Sequence, residues 1–258
     1  MAKLLLFLLI ISSSICADNI KIINVSYENK ATYPYYLGDS EHIDLKKPGI
    51  AIEAMQGIEK KLNIKFNFER KTSVRGQKEL EYNKVDMLLF ASYKKSREGM
   101  GVYPKNSDGS INTAKKAMNL SYVLYRLKNS TLDWDGKKFI NLTGKIGATK
   151  GYSIVKFLQK RDVDVSENYS NTGDVKKLIA KRIQGIANQE SKIDIYLKNN
   201  PKLAQKIEKC KIPLKTKPYY MLFSFKFYKE NEKLANKIWD ELKNLDSDEK
   251  FKSLREKY

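Results

Sequence analysis

Polar and apolar residues alternate along this chain in two rhythms, one of period two and one of period between three and four. Residues 20–26 (IKIINVS), 64–69 (IKFNFE) and 85–91 (VDMLLFA) read as strands. The last is a nearly unbroken apolar run, as expected of a parallel strand covered on both faces. Between them Ile50, Ala54, Ile58 and Leu62 recur four apart and predict a helix over 49–62, with a shorter helix at 77–83. Residues 32–39 and 104–116 are loops, the second carrying the Asp108-Gly109 turn signal. After a strand at 120–125 the order begins again. Strands are expected at 145–148, 163–165 and 185–187, and helices at 152–160, 174–181, 192–199 and 203–208. A strand at 219–227 precedes helices at 231–245 and 248–257, where Leu234, Ile238 and Leu242 share a face. Strands alternating with helices specify an α/β fold. The restart predicts two lobes joined by two crossovers: residues 18–122 with 221–258 as lobe 1, and 123–220 as lobe 2. Trp134 and Trp239 are expected to fill the lobes' cores. A ligand would sit in the cleft between the lobes.

Residues 1–17 follow a different pattern. A short positive start at Lys3, an apolar run from Leu4 to Ile11 and a small residue at Ala17 describe a secretory signal peptide, with the mature chain beginning near Asp18. The run is about half of what a membrane span needs. Lipid attachment at Cys16 is the rival reading, and Ile15 before the cysteine fits it poorly. Removal of this segment leaves Cys210 as the single cysteine, so no internal disulfide is expected.

Charge adds a further constraint. Lys and Arg total 49 against 30 Asp and Glu, a formal net charge of +19. The lysines are spread along the chain rather than gathered with stacking aromatics, so a solvated lysine-rich surface is favoured over a nucleic-acid interface. Residues 123–220 hold 21 Lys and Arg against 9 Asp and Glu, a bias that favours an anionic ligand. The lone histidine, His42, leaves a histidine-ligated metal site or a Ser-His-Asp triad without material unless His42 serves it. No metal, cofactor or catalytic residue is assigned.

Several local motifs, in order, carry a resemblance. Residues 85–97 (VDMLLFASYKKSR) join a buried strand to a loop with Ser92 and Arg97. Residues 142–147 (LTGKIG) are followed by Gly151, Tyr152 and Ser153, and an aromatic-proline loop contains Tyr33, Pro34, Tyr35 and Tyr36. This pattern resembles the family 3 extracellular solute-binding proteins, the amino-acid-type periplasmic receptors of ABC transporters, over essentially the whole mature chain. The resemblance implies a two-lobed periplasmic-binding-protein-like fold (type II), each lobe a mixed sheet flanked by helices, hinged on two crossover strands. It implies a monomeric, periplasmic, non-enzymatic receptor. Such a receptor closes on a small carboxylate-bearing solute, an amino acid or a related one, and serves a membrane permease or a sensor. Arg97 and Ser92 match the family's carboxylate grip, Gly151, Tyr152 and Ser153 its helix-start turn, and Tyr33 and Tyr36 its ligand-packing loop. Lys94 stands where the family has a Thr, and the neutral Gln189 stands where amino-acid receptors usually have an Asp, with Glu190 next to it. A carboxylate taken from water into a closed cleft is best held by the planar fork of an arginine, which supports the same choice of Arg97. Arg75 is a second candidate anion contact, with a surface role favoured. The alternative readings are a periplasmic enzyme on the same fold, of the cyclic-carboxylate dehydratase type, and a ligand-sensing protein.

Overall fold

The computed structural model describes residues 20–38, 40–44, 46–168 and 171–258. The expected leader 1–17, its cleavage point and Cys16 lie outside the described residues.

The first half is built from β1 (Lys21–Glu28), α1 (Ile50–Leu62), β2 (Ile64–Lys71), α2 (Ser73–Glu81) and β3 (Met87–Ser92). A 3-10 turn at Lys95–Met100 leads towards β4 (Met118–Leu127). The second half holds β5 (Asp133–Trp134), β6 (Phe139–Ile140), β7 (Ile146–Thr149), α3 (Ser153–Gln159), β8 (Val165–Asn168), α4 (Asn171–Ile179) and β9 (Gly185–Gln189). Then come α5 (Glu190–Lys198), α6 (Pro201–Ala204) and β10 (Ile207–Lys209). β11 (Lys215–Phe223) returns to the first half, followed by α7 (Phe225–Leu242) and α8 (Lys252–Lys257).

Nine strands form one curled sheet in the order β2-β1-β3-β11-β4-β9-β7-β8, with β10 on β4 as a branch. The outer triplets β2-β1-β3 and β9-β7-β8 are parallel, as strand–helix–strand repeats require. The central pair β11–β4 is antiparallel to its neighbours and runs between the two halves.

Apolar residues gather on either side of that pair. One core joins Ile23, Ile52, Met55 and Met87 to Phe223, Trp239 and Leu242, so the C-terminal helix α7 packs on the first half. Two further cores, around Trp134 and Ile154 and around Val175 and Ile193, cover the two faces of the second half. Trp134 and Trp239 are both 3% exposed, each in its own core. Cys210 is buried beside Leu132 and Trp134, and its amide donates to the Leu124 carbonyl (2.8 Å).

Three expectations change, and one element is new. Residues 203–208 are not one helix: α6 ends at Ala204, and Ile207–Lys209 pairs with the free edge of β4. The strand expected over 219–227 ends at Phe223, because Ser224 caps α7 by accepting from the Phe227 amide (3.2 Å). The short helix begins at Ser73 rather than Gln77, capped by Thr72. The hairpin β5–β6 was not foreseen, since two-residue strands leave no periodicity to read.

Candidate functional site

Strand ends and loops of both halves converge on a cavity of about 400 Å³. Its size falls in the usual range for small-ligand pockets. Ser92 reaches it from the C-terminal end of β3, and Arg97 from the 3-10 turn that follows. Arg97 Nη1 donates to the Ser92 carbonyl (2.9 Å) and to Ser92 Oγ (3.0 Å), and the Tyr103 hydroxyl donates to that same carbonyl (3.1 Å). These bonds fix one arm of the guanidinium. Arg97 has no carboxylate partner among the described residues. Tyr36 forms an aromatic wall, stacked on Phe90 at 5.9 Å, with its hydroxyl accepting from Thr32 Oγ1 (2.9 Å). Burial pushes the Tyr36 phenol well above its ordinary range, so it stays protonated.

The second half contributes Gly151, Tyr152, Ser153 and Gln189. Gly151 adopts φ +78°, which costs other residues strain, and the direction a Cβ would take from it is open space. Tyr152 rather than Ser153 occupies the cap position of α3 and gives no side-chain cap. Ser153 Oγ is buried close to the Tyr122 hydroxyl. Gln189 Nε2 donates to the Tyr219 hydroxyl (2.9 Å). The strand pair between the halves supplies the floor through Met118, Leu120, Tyr122 and Tyr219.

Seven of the eight residues singled out in the sequence therefore line one cavity: Arg97, Ser92, Tyr36, Gly151, Tyr152, Ser153 and Gln189. Tyr33 does not. It lines a separate cavity with Glu190 and Asp194, and Lys198 Nζ lies 5.9 Å from its ring centre. The loop turns Tyr33 and Tyr36 to different sides, because Tyr36 is drawn into the core by Tyr27 and Phe90. Glu190 is also directed away, paired with Lys209 at 2.6 Å. Arg75 is exposed and paired with Glu79 at 3.0 Å, outside the lining.

Two residues that sequence reasoning passed over join the halves. Glu28, at the end of β1, lines the cavity, and Lys192 on α5 lies behind it, 5% exposed. Lys192 Nζ donates to the Tyr152 hydroxyl (2.8 Å) and to Glu28 Oε2 (3.4 Å), and the Tyr152 hydroxyl donates to Glu28 Oε1 (3.4 Å). Burial works against the Lys192 charge, but Tyr152 and Glu28 outweigh it and hold the ammonium above the ordinary lysine range. A charged residue at a strand's C-terminal end was the available signal for Glu28. Lys192 gave none, since its partners are far off in sequence.

Around Arg97 the balance is reversed. Burial, with the charges of Lys215, Lys94 and Arg97, pushes the pKa of the Lys217 ammonium on β11 down to about 8. Lys94 is lowered as well, by burial and by Arg97, Lys156 and Lys215. The nearby Glu98 is already shared by Lys95 (2.8 Å) and Lys105 (2.9 Å).

No family model matches the chain, and no curated relative matches it. Solved structures do. The GluR0 ligand-binding core in complex with L-glutamate superposes with a TM-score of 0.70 at 15% identity, over 93% of this chain and 99% of that one. An ancestral arginine-binding protein bound to arginine gives 0.65 at 18% identity, over 92% and 97%. A histidine kinase sensor domain with similarity to periplasmic binding proteins gives 0.65 at 14% identity, over 93% and 97%. The fold is therefore the two-lobed, periplasmic-binding-protein-like α/β fold expected from the sequence. No helix of the described residues is long and apolar enough to cross a membrane.

Proposed function

We propose that this chain is a solute receptor of the family 3, amino-acid type, closing its lobes on a small carboxylate-bearing molecule without transforming it. The lobes are residues 18–122 with 221–258 and residues 123–220. The separation of the apolar cores on either side of β4 and β11 supports that division. The observation that carries the function is Arg97. It is half-buried, oriented by Ser92, without a carboxylate partner among the described residues, and faces a cavity walled by both lobes. A guanidinium in that state is a receiver for an anion, and its free arm can form the paired bonds a carboxylate accepts. The Gly151 turn of lobe 2 stands across the cavity, so one ligand can touch both lobes and draw them together. Structural relatives that bind glutamate and arginine agree with this reading.

A catalytic role finds less support. The cavity's one carboxylate among the described lining residues, Glu28, is committed to Lys192 and Tyr152. Delivery to an ABC permease, with export directed by residues 1–17, is the role proposed first. The sensor-domain relative favours sensing as the second.

The test is a thermal-shift screen against amino acids and organic acids, followed by calorimetry with Arg97→Ala. A ligand bound only by the folded state raises the melting temperature. Retention of full affinity in Arg97→Ala would refute the assignment.

A further inference from the structure

Arg97 lines one end of the cavity, and two further cations, Lys94 and Lys217, border that end without being among its lining residues. Three neighbouring strands form the face that these cations border. Tyr219 pairs with Ser92 on β3 and with Met118 on β4, and all three line the cavity. Two residues earlier on β11, Lys217 pairs with Leu120, which also lines it. Side chains two apart on a strand share a face, so Lys217 follows Tyr219 along the cavity side. Lys94 follows two residues after Ser92 in extended backbone (φ −147°, ψ 142°), and its charge acts on Lys217. Neither lysine side chain has a hydrogen bond or ion pair among the described residues, and the charges acting on each are those of other cations. Like charges held together at a half-buried site weaken the fold unless something else requires them. Lys94 is also the residue that departs from the resemblance at the position of the family's Thr.

At the other end, the Glu28 carboxylate is occupied by Lys192, and Gln189 is neutral. A ligand ammonium would gain little there.

From this geometry we infer that the solute is a polyanion. One carboxylate sits on Arg97 and Ser92, and a second anionic group, carboxylate or phosphoryl, sits between Lys94 and Lys217. This rests on the carboxylate grip proposed above and adds the charge class of its ligand.

Calorimetry on the whole chain tests it with matched probes: propionate, succinate and tricarballylate for one, two and three carboxylates, and L-serine against O-phospho-L-serine for the phosphoryl group. Succinate, tricarballylate or phosphoserine should bind at least about tenfold more tightly than its monoanionic or zwitterionic counterpart, the scale of one desolvated charge contact. The double variant K94Q/K217Q, checked for an unchanged melting profile, should close that gap. The carboxylate series and the serine pair separate the two sources of the second anion. Equal affinity within both series, or a double variant that binds polyanions as the wild type does, overturns the inference and leaves the Arg97 grip standing. Loss of polyanion binding in K94Q/K217Q with none in Arg97→Ala overturns the grip instead. Binding of no probe in either series counts against both.

Discussion

The two ends of the cavity hold similar side chains in opposite states. At the Glu28 end the cation is almost fully buried and fully partnered, with one carboxylate and one phenol shared around Lys192. At the Arg97 end the cations are more open and face one another. The first arrangement satisfies itself and ties lobe to lobe. The second has no carboxylate partner among the described residues, and the ligand proposed above would supply one. Lysine content alone says nothing about which lysines build the fold and which await a partner; the accounting of carboxylates does.

The largest expected effect lies at the self-satisfied end. Glu28→Gln leaves the Lys192 ammonium buried without a counter-charge and should lower the unfolding free energy by about 3–5 kcal/mol in urea titrations. Lys192→Met should cost less, because the Glu28 side chain keeps 20% of its surface and can be hydrated. The reverse order would mean that the carboxylate is the group that depends on the pair. At the other end, Arg97→Ala should leave stability nearly untouched and cost about 2–5 kcal/mol of binding, read by calorimetry. Arg97→Lys should fail to restore it, since an ammonium lacks the fork. Gln189→Ala should cost binding only about 0.5–1.5 kcal/mol, as a neutral hydrogen bond does. Tyr152→Phe removes one acceptor from Lys192, and a loss of about 1 kcal/mol of stability is expected from chemical denaturation.

The smallest effect is a pH trend. Lys217 faces Lys215 on its own strand and Lys94 and Arg97 from the turn after β3, and it titrates near 8 rather than at its ordinary 10.5. Its folded-state value is the lower one, so between those values the unfolded chain binds more protons. Stability of the free protein should therefore rise with pH across that window. Tricarballylate affinity should move the other way, falling as pH passes 8, because the ligand needs the charged form. Lys217→Gln should flatten both trends in paired melting and calorimetric series.

The element order and the parallel triplets were legible in the sequence because each depends on local signals such as apolar runs. Seven residues of the cavity lining were reached through the resemblance carried by a strand followed by Ser and Arg and a glycine at a turn. What escaped depends on contacts made at a distance. Lys192 sits on α5 beside Ile193 and reads as one more surface lysine until Glu28, 164 positions away, is brought against it. Residues 207–209 look helical by continuation, and only the open edge of β4 makes them a strand. Tyr33 and Tyr36 are indistinguishable in a line of aromatics, and the packing of Tyr36 on Phe90 separates them. The end of β11 was available: Ser224 before an apolar, lysine-rich stretch is a cap signal, outweighed by the run of phenylalanines.

Cys210 gives the molecule a chemical clock. Burial, and the neighbouring Asp133 carboxylate, push its thiol up to about 12, so at neutral pH the folded protein offers almost no thiolate. Thiolate is the form that attacks disulfides and alkylating reagents, which makes the folded protein inert to both. The residue follows β10, the three-residue strand clipped to the edge of β4. A reagent reaches the sulfur when that edge opens, and the labelling rate then counts openings of the sheet. In a chain beginning at residue 18, a single-cysteine time course would measure how often lobe 2 breathes, and whether a ligand held in the cavity slows it.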